Sequence, residues 1–114
     1  MNNKYVLIIN EAHDIFKDQM FLLEYSYERL NLSNNGETLE YMKEVIIPDL
    51  CARSEEGQII VFASPVGALM SLCSAKKIPF MSFHNDKRDA KEIPDGKGGK
   101  KVIHSVSSTG WVLV

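Results

Sequence analysis

Gln58-Ile-Ile-Val-Phe-Ala-Ser-Pro-Val66 is the stretch on which the fold turns. The run from Gln58 to Ala63 is apolar and rich in β-branched residues, which predicts a strand buried on both faces. Ser64-Pro65 directly after it is a helix-start signal. The serine hydroxyl suits an N-cap, and proline, having no amide hydrogen to satisfy, suits the first helical position. The helix so opened runs to about Lys77, where Lys76 and Lys77 match the negative end of the helix dipole. A buried strand feeding a helix is the unit from which parallel sheets are built.

The same alternation continues on both sides. Upstream, Leu39, Met42, Ile46 and Leu50 trace a helical stripe. Pro48 interrupts it, and the missing donor and the ring's clash with the preceding turn predict a kink or restart there. Glu55-Glu56-Gly57 closes the helix, with Gly57 free to take the left-handed conformation of a stop. Downstream, Pro79 to Phe83 reads as another strand. Nearer the N-terminus, Tyr5-Val-Leu-Ile-Ile9 is a further buried strand, followed by Ile15, Phe16, Met20 and Leu23 at helical spacing. That spacing predicts a helix from Ala12 to about Glu24 with Asn10 as its cap. Tyr25 with Tyr27 and Leu30 with Leu32 show alternate spacing before the turn cluster Ser33-Asn-Asn-Gly36. They predict a half-buried edge strand at 27–32, with an extension of the preceding helix as the alternative. After a polar, Gly- and Lys-rich stretch, Val102 to Val106 and Trp111 to Val114 flank Ser107-Ser-Thr-Gly110 and predict an antiparallel hairpin. The patch Gly96-Lys-Gly-Gly-Lys-Lys101 reads as a mobile loop.

These elements predict one α/β domain over residues 1–114, a small three-layer sandwich around a parallel sheet ordered 2-1-3-4. A C-terminal antiparallel β-hairpin is expected to extend one sheet edge. The pattern over residues 4 to 83 resembles the broad Rossmann-like or flavodoxin-like architecture, a likeness of fold that assigns no activity.

Composition narrows the classes further. The chain has 114 residues, 45% of them apolar and 25% charged, which is ordinary for a folded protein and unlike a disordered one. A net charge of −2 argues against a strongly basic nucleic-acid binder. So does the absence of aromatics among Lys87, Arg88, Lys91, Lys97, Lys100 and Lys101. The charge is nevertheless split: residues 11–56 carry a net −7 and residues 76–101 a net +4. That split suits an anion at the rear, a solvated pair of faces, or association with a protein partner or a second copy. The 2 cysteines, Cys51 and Cys73, form no Cys-x-x-Cys pair and read as core thiols. With no apolar run long enough for a bilayer and no secretory h-region, a cytoplasmic location without membrane contact is expected.

In parallel sheets, ligands bind beyond the carboxyl ends of the strands, where the winding reverses. Order 2-1-3-4 places that crevice between the first strand and the one ending at Ala63. Three strand exits carry polar residues. Asn10, Glu11 and His13 leave the first, Ser64 the second, and His84, Asn85, Asp86 and Arg88 the third. Histidine shuttles protons near neutral pH, aspartate orients it or accepts a proton, and arginine grips an anion with two parallel bonds. His84, Asp86 and Arg88 are therefore the candidate catalytic set, and Asn10, Glu11, His13, Ser64 and Asn85 the candidate ligand-binding set. No Gly-x-Gly-x-x-Gly follows the first strand, and the 96–101 patch lacks the Ser or Thr and the helix of a Walker loop. No cofactor and no metal are expected. The expected function is binding of a small anionic, nucleotide- or phosphodiester-like ligand. The alternative is a non-catalytic interaction module, such as a small regulator or inhibitor of a larger complex.

Overall fold

Every side chain of the first strand is buried or nearly so, because this strand is flanked on both edges and covered on both faces. It is β1 (Tyr5–Asn10), paired in parallel with β2 (Tyr27–Leu32) on one side and β3 (Ile59–Phe62) on the other. β4 (Phe80–His84) continues the parallel pairing from β3. The two-residue β7 (Val112–Leu113) closes the far edge antiparallel to β4, giving a mixed five-stranded sheet ordered β2-β1-β3-β4-β7. The computed structural model describes residues 3–86, 88–94, 96 and 98–114, with the backbone alone over 88–94 and 101–106.

The alternation of strand side chains divides the core in two. Val6, Ile8, Leu32, Ile60 and Phe62 face one side, where Met42, Ile46, Leu50, Leu69 and Cys73 cover them. Those covering residues come from a π-helical turn (Met42–Ile46), α3 (Ile47–Glu55) and α4 (Gly67–Ala75); the short α2 (Leu39–Tyr41) leads into the turn and buries no side chain. Tyr5, Leu7, Ile9 and Val61 face the other side and meet Ile15, Leu23 and Met20 around α1 (Lys17–Leu22). Helices thus cover both faces, as strands with no solvated face require. The edge strand β2 alternates accordingly: Leu30 and Leu32 turn into the first cluster and Tyr27 packs against the second, while Glu28 and Arg29 take part in exposed ion pairs.

Pro48 acts as its chemistry demands. The helix stays continuous through it, but the turn before it is wound as π-helix, with the Ile47 amide bonded to the Met42 carbonyl. Widening the turn accommodates the ring and the missing donor without a break. Gly57 ends α3 with φ +93°. The Gly57 amide donates to the Ser54 carbonyl and the Gln58 amide to that of Arg53, the pairing of a Schellman stop.

Three expectations are corrected. The helix expected from Ala12 begins only at Lys17, because the Asn10 side-chain carbonyl accepts from the Ala12 amide (2.8 Å) and holds a local turn. Asn10 therefore caps no helix. Ser64 does not cap α4 either. Val66 is the N-cap, in extended conformation, and the serine hydroxyl bonds across the sheet instead. The hairpin is formed by other partners: β5 (Arg88–Pro94) pairs with β6 (Lys100–Val106) as a separate two-stranded sheet, while the last strand returns singly to β4. Of the patch expected as a mobile loop, Gly96 and Gly98, with φ +80° and +84°, lie in the connection between β5 and β6, Lys100 and Lys101 belong to β6, and Lys97 lies outside the described residues. In that hairpin, the side chains of 88–94 and 101–106 lie outside the described residues. Its strands contact chiefly each other, and the molecule measures 57 × 31 × 21 Å with a radius of gyration of 17.1 Å. A compact chain of ~100 residues has about 13 Å, so the hairpin stands out from the body as an arm.

Candidate functional site

The order β2-β1-β3-β4 reverses direction between β1 and β3, and two clefts open at that point, beyond the strands' carboxyl ends. The larger has a volume of ≈ 470 Å³. Leu32, Met42 and Leu69 give it an apolar floor. Asn10 and His13 wall it from the β1 exit, and Ser64 to Val66 from the β3 exit. Ser33, Asn34 and Glu37 close it from the loop after β2. The smaller, ≈ 310 Å³, lies over the α1 face and is walled by Ile15, Phe16, Gln19 and Trp111. His13, Ala63 and Ser64 line both clefts, so the two meet at a shared waist. Each reaches the size range of small-molecule sites, ~300 Å³ and above.

Ser64 builds that waist. β3 stops before it can offer a carbonyl to the Asn10 amide, and the Ser64 Oγ accepts that amide's hydrogen at 2.9 Å in its place. The Ala63 and Ser64 amides both donate back to the Ile8 carbonyl. The loop carrying His13 is held from β2: the Arg29 guanidinium donates to Asp14 at 2.6 Å and to the His13 carbonyl at 2.8 Å. Glu11 accepts from the Asn34 amide (3.0 Å), and Glu37 accepts from the Ser33 amide (2.6 Å), so both carboxylates order the loops at the rim.

On the smaller cleft, aromatic rings are stacked outward from the sheet. Phe16 and Trp111 lie 6.1 Å apart at 27°, and Phe83 meets Trp111 edge-on at 6.2 Å. The indole Nε1 donates to the Ser107 carbonyl at 3.0 Å, which fixes the ring's attitude. Gln19, buried, accepts from the Phe16 amide at 2.8 Å and holds the start of α1 beneath the rings.

The three strand exits share one rim, since β1, β3 and β4 run parallel, yet they do not share one hollow. Asn10, His13 and Ser64 come together in the clefts. Glu11 sits at the rim as a loop tie. His84 and Asp86 meet each other, Nε2 to Oδ1 at 2.8 Å, on the exposed exit of β4, and neither lines the two clefts. Asn85 is buried, and its amide nitrogen donates to the Thr109 carbonyl at 2.8 Å, tying β4 to the segment that leads into β7. Arg88 begins β5, and its side chain, like the whole of Lys87, lies outside the described residues. Sequence reasoning missed Phe16, Trp111, Arg29 and Glu37. Trp111, the only tryptophan, was the one that carried a signal.

Among the described residues no three His, Cys, Asp or Glu side chains cluster as metal ligands would. No helix among them is long and apolar enough to cross a membrane. The chain matches no known protein family, no curated protein and no solved structure. The geometry of the clefts therefore carries the functional assignment.

Proposed function

We propose that this protein binds a small anionic, nucleotide- or phosphodiester-like ligand in the crevice beyond the carboxyl ends of β1 and β3. The observation that supports this most is the meeting of two clefts at the reversal of strand order, with His13 and Ser64 at their common waist. The doubly wound, Rossmann-like reading of the sheet belongs to the same proposal, since such sheets hold ligands at this position. The anionic group belongs at the turn from β3 into α4. There the first amides of the helix have no intrahelical acceptor, and His13 lines the same cleft. Pro65 contributes no donor, which leaves Val66 and the residues after it. Glu37 lines the same cleft and keeps its negative charge while accepting from the Ser33 amide, so it disfavours an anion on its own side.

The test is a thermal-shift screen with nucleotides, cyclic nucleotides and simple phosphodiesters. Stabilisation that is weakened in His13→Ala is expected, and no stabilisation by any of them would end the reading. Acid–base cleavage by the His84–Asp86 pair with Arg88 is a separate proposal, because that pair lies apart from the clefts and would need a substrate of its own at the β4 exit. Hydrolysis of a chromogenic phosphodiester, lost in His84→Ala, is its separate test.

A second reading, a non-catalytic interaction module or self-associating subunit, is favoured by one surface. Phe21 and Tyr25 meet edge-on at 6.4 Å while remaining 69% and 66% exposed, an apolar pair available to a partner. Sedimentation velocity distinguishes it: concentration-dependent association lost in Phe21→Ala supports it, and a strict monomer at all concentrations argues against it.

A further inference from the structure

We infer that the smaller cleft is a subsite for a flat aromatic ring, so that the molecule bound is one joining a ring to an anionic group, as a nucleotide does. This rests on the reading of the crevice as a ligand site and names what occupies its second half. Three observations carry it. First, the cleft has an aromatic wall, Phe16 and Trp111, lying over the α1 face of the sheet. Second, the wall is set before any ligand arrives. The Trp111 N–H is satisfied by the Ser107 carbonyl, Phe83 supports the indole edge-on, and the Phe16 amide is held by Gln19. A fixed ring costs little entropy to use, and its face accepts a nucleobase without needing a particular hydrogen-bond pattern. Third, Phe16 is 41% exposed although its neighbours Ile15 and Gln19 are buried, so apolar ring surface faces solvent at the rim.

The shared waist sets the ligand's connectivity. A ring resting on Trp111 has His13 and Ser64 beside it, and those residues open directly into the larger cleft. A ring and an anionic group bridged by a short linker, such as a ribose, span the two. Asp14, the acidic side chain on the ring's side, is paired to Arg29 and so presents a partly neutralised face.

Trp111 is the only tryptophan, so its fluorescence reports this subsite alone. The experiment titrates the whole chain with adenosine 5′-monophosphate and with ribose 5-phosphate, following Trp111 emission and thermal stability together. The expected result is a change in Trp111 emission with the nucleotide but not with the sugar phosphate, and at least tenfold tighter binding of the nucleotide. Phe16→Ala, at a part-exposed position where folding is easily checked by its melting temperature, should lower nucleotide affinity about tenfold and leave the sugar phosphate unaffected. Equal binding of both probes with unchanged emission would overturn the aromatic subsite and leave the anion reading of the crevice standing. Failure of both probes to bind, with the wider nucleotide screen also negative, would remove both.

Discussion

Ser64 shows how one side chain is put to a use that local rules do not reveal. After a strand and before a proline it has every mark of a helix cap, yet its hydroxyl serves the Asn10 amide 54 residues away in sequence. Ser64→Ala leaves that part-buried amide without an acceptor, and the expected loss is about 1–3 kcal/mol in urea unfolding. Ser64→Thr keeps the oxygen and should recover most of it. Glu28 illustrates a surface effect. The hydrogen bonds from Arg53 at 2.9 and 3.4 Å, with the attraction of its charge, hold the Glu28 carboxyl below its ordinary range. A depressed carboxylate stabilises the fold above its unfolded-state pKa, and that contribution disappears as pH falls through the lower, folded-state value. Glu28→Gln should therefore lower the melting temperature slightly at pH 7 and make no difference well below pH 3. A temperature scan at both pH values checks it. The pair is exposed, so the effect is small.

At the level of elements, α3 and α4 end in the same way with different residues. Gly57 after α3 has φ +93°, and Lys77 after α4 has φ +58°, each followed by an amide reaching back to the last turn, Gln58 to Arg53 and Ile78 to Cys73. Only glycine takes this conformation without a steric cost. Lys77→Gly should stabilise the protein by about 1 kcal/mol, measured by denaturant midpoint, whereas Gly57→Ala should destabilise it by a similar amount. The stop at Gly57 was legible because glycine announces it. The one at Lys77 was hidden by a residue whose usual place is the helix's last turn. The π-helical turn before Pro48 belongs to this scale too. The sequence foretold a disturbance, but whether proline bends, breaks or rewinds a helix depends on what the helix covers. Here Met42 and Ile46 must stay on the sheet, and the wider turn keeps them there.

Across the whole molecule, the arm formed by β5 and β6 is the feature that departs most from expectation. Its strands pair with each other and belong to a sheet of their own. Joining Ala90 to His104, which are register partners, through an Asn-Gly turn should shorten the arm without altering the remaining pairs. The melting temperature should change by no more than a few degrees, and cooperative unfolding should persist. A collapse of stability in calorimetry would show that the arm supports the body. The larger arrangement was legible: four parallel strands in the order 2-1-3-4 follow from buried strands alternating with amphipathic helices, and the crevice falls where that order reverses. The candidate site was legible in part. Asn10, His13 and Ser64 meet there, while the β4 exit on the same rim holds its His84–Asp86 pair apart from the clefts.

The sequence by itself determined the body's strands and the sheet order they imply, because hydrophobic period and turn residues act over a few positions and exclude most other arrangements. It also determined which strand exits would be polar. Only the tertiary structure decided which of those polar groups meet, what Ser64 binds, and that Trp111 and Phe16 wall a cleft. It also decided that residues 88–94, with little strand character of their own, pair with 100–106. Each of these depends on contacts between residues far apart in the chain, whose geometry is set by how completely the two faces of the sheet are covered. No local pattern encodes that.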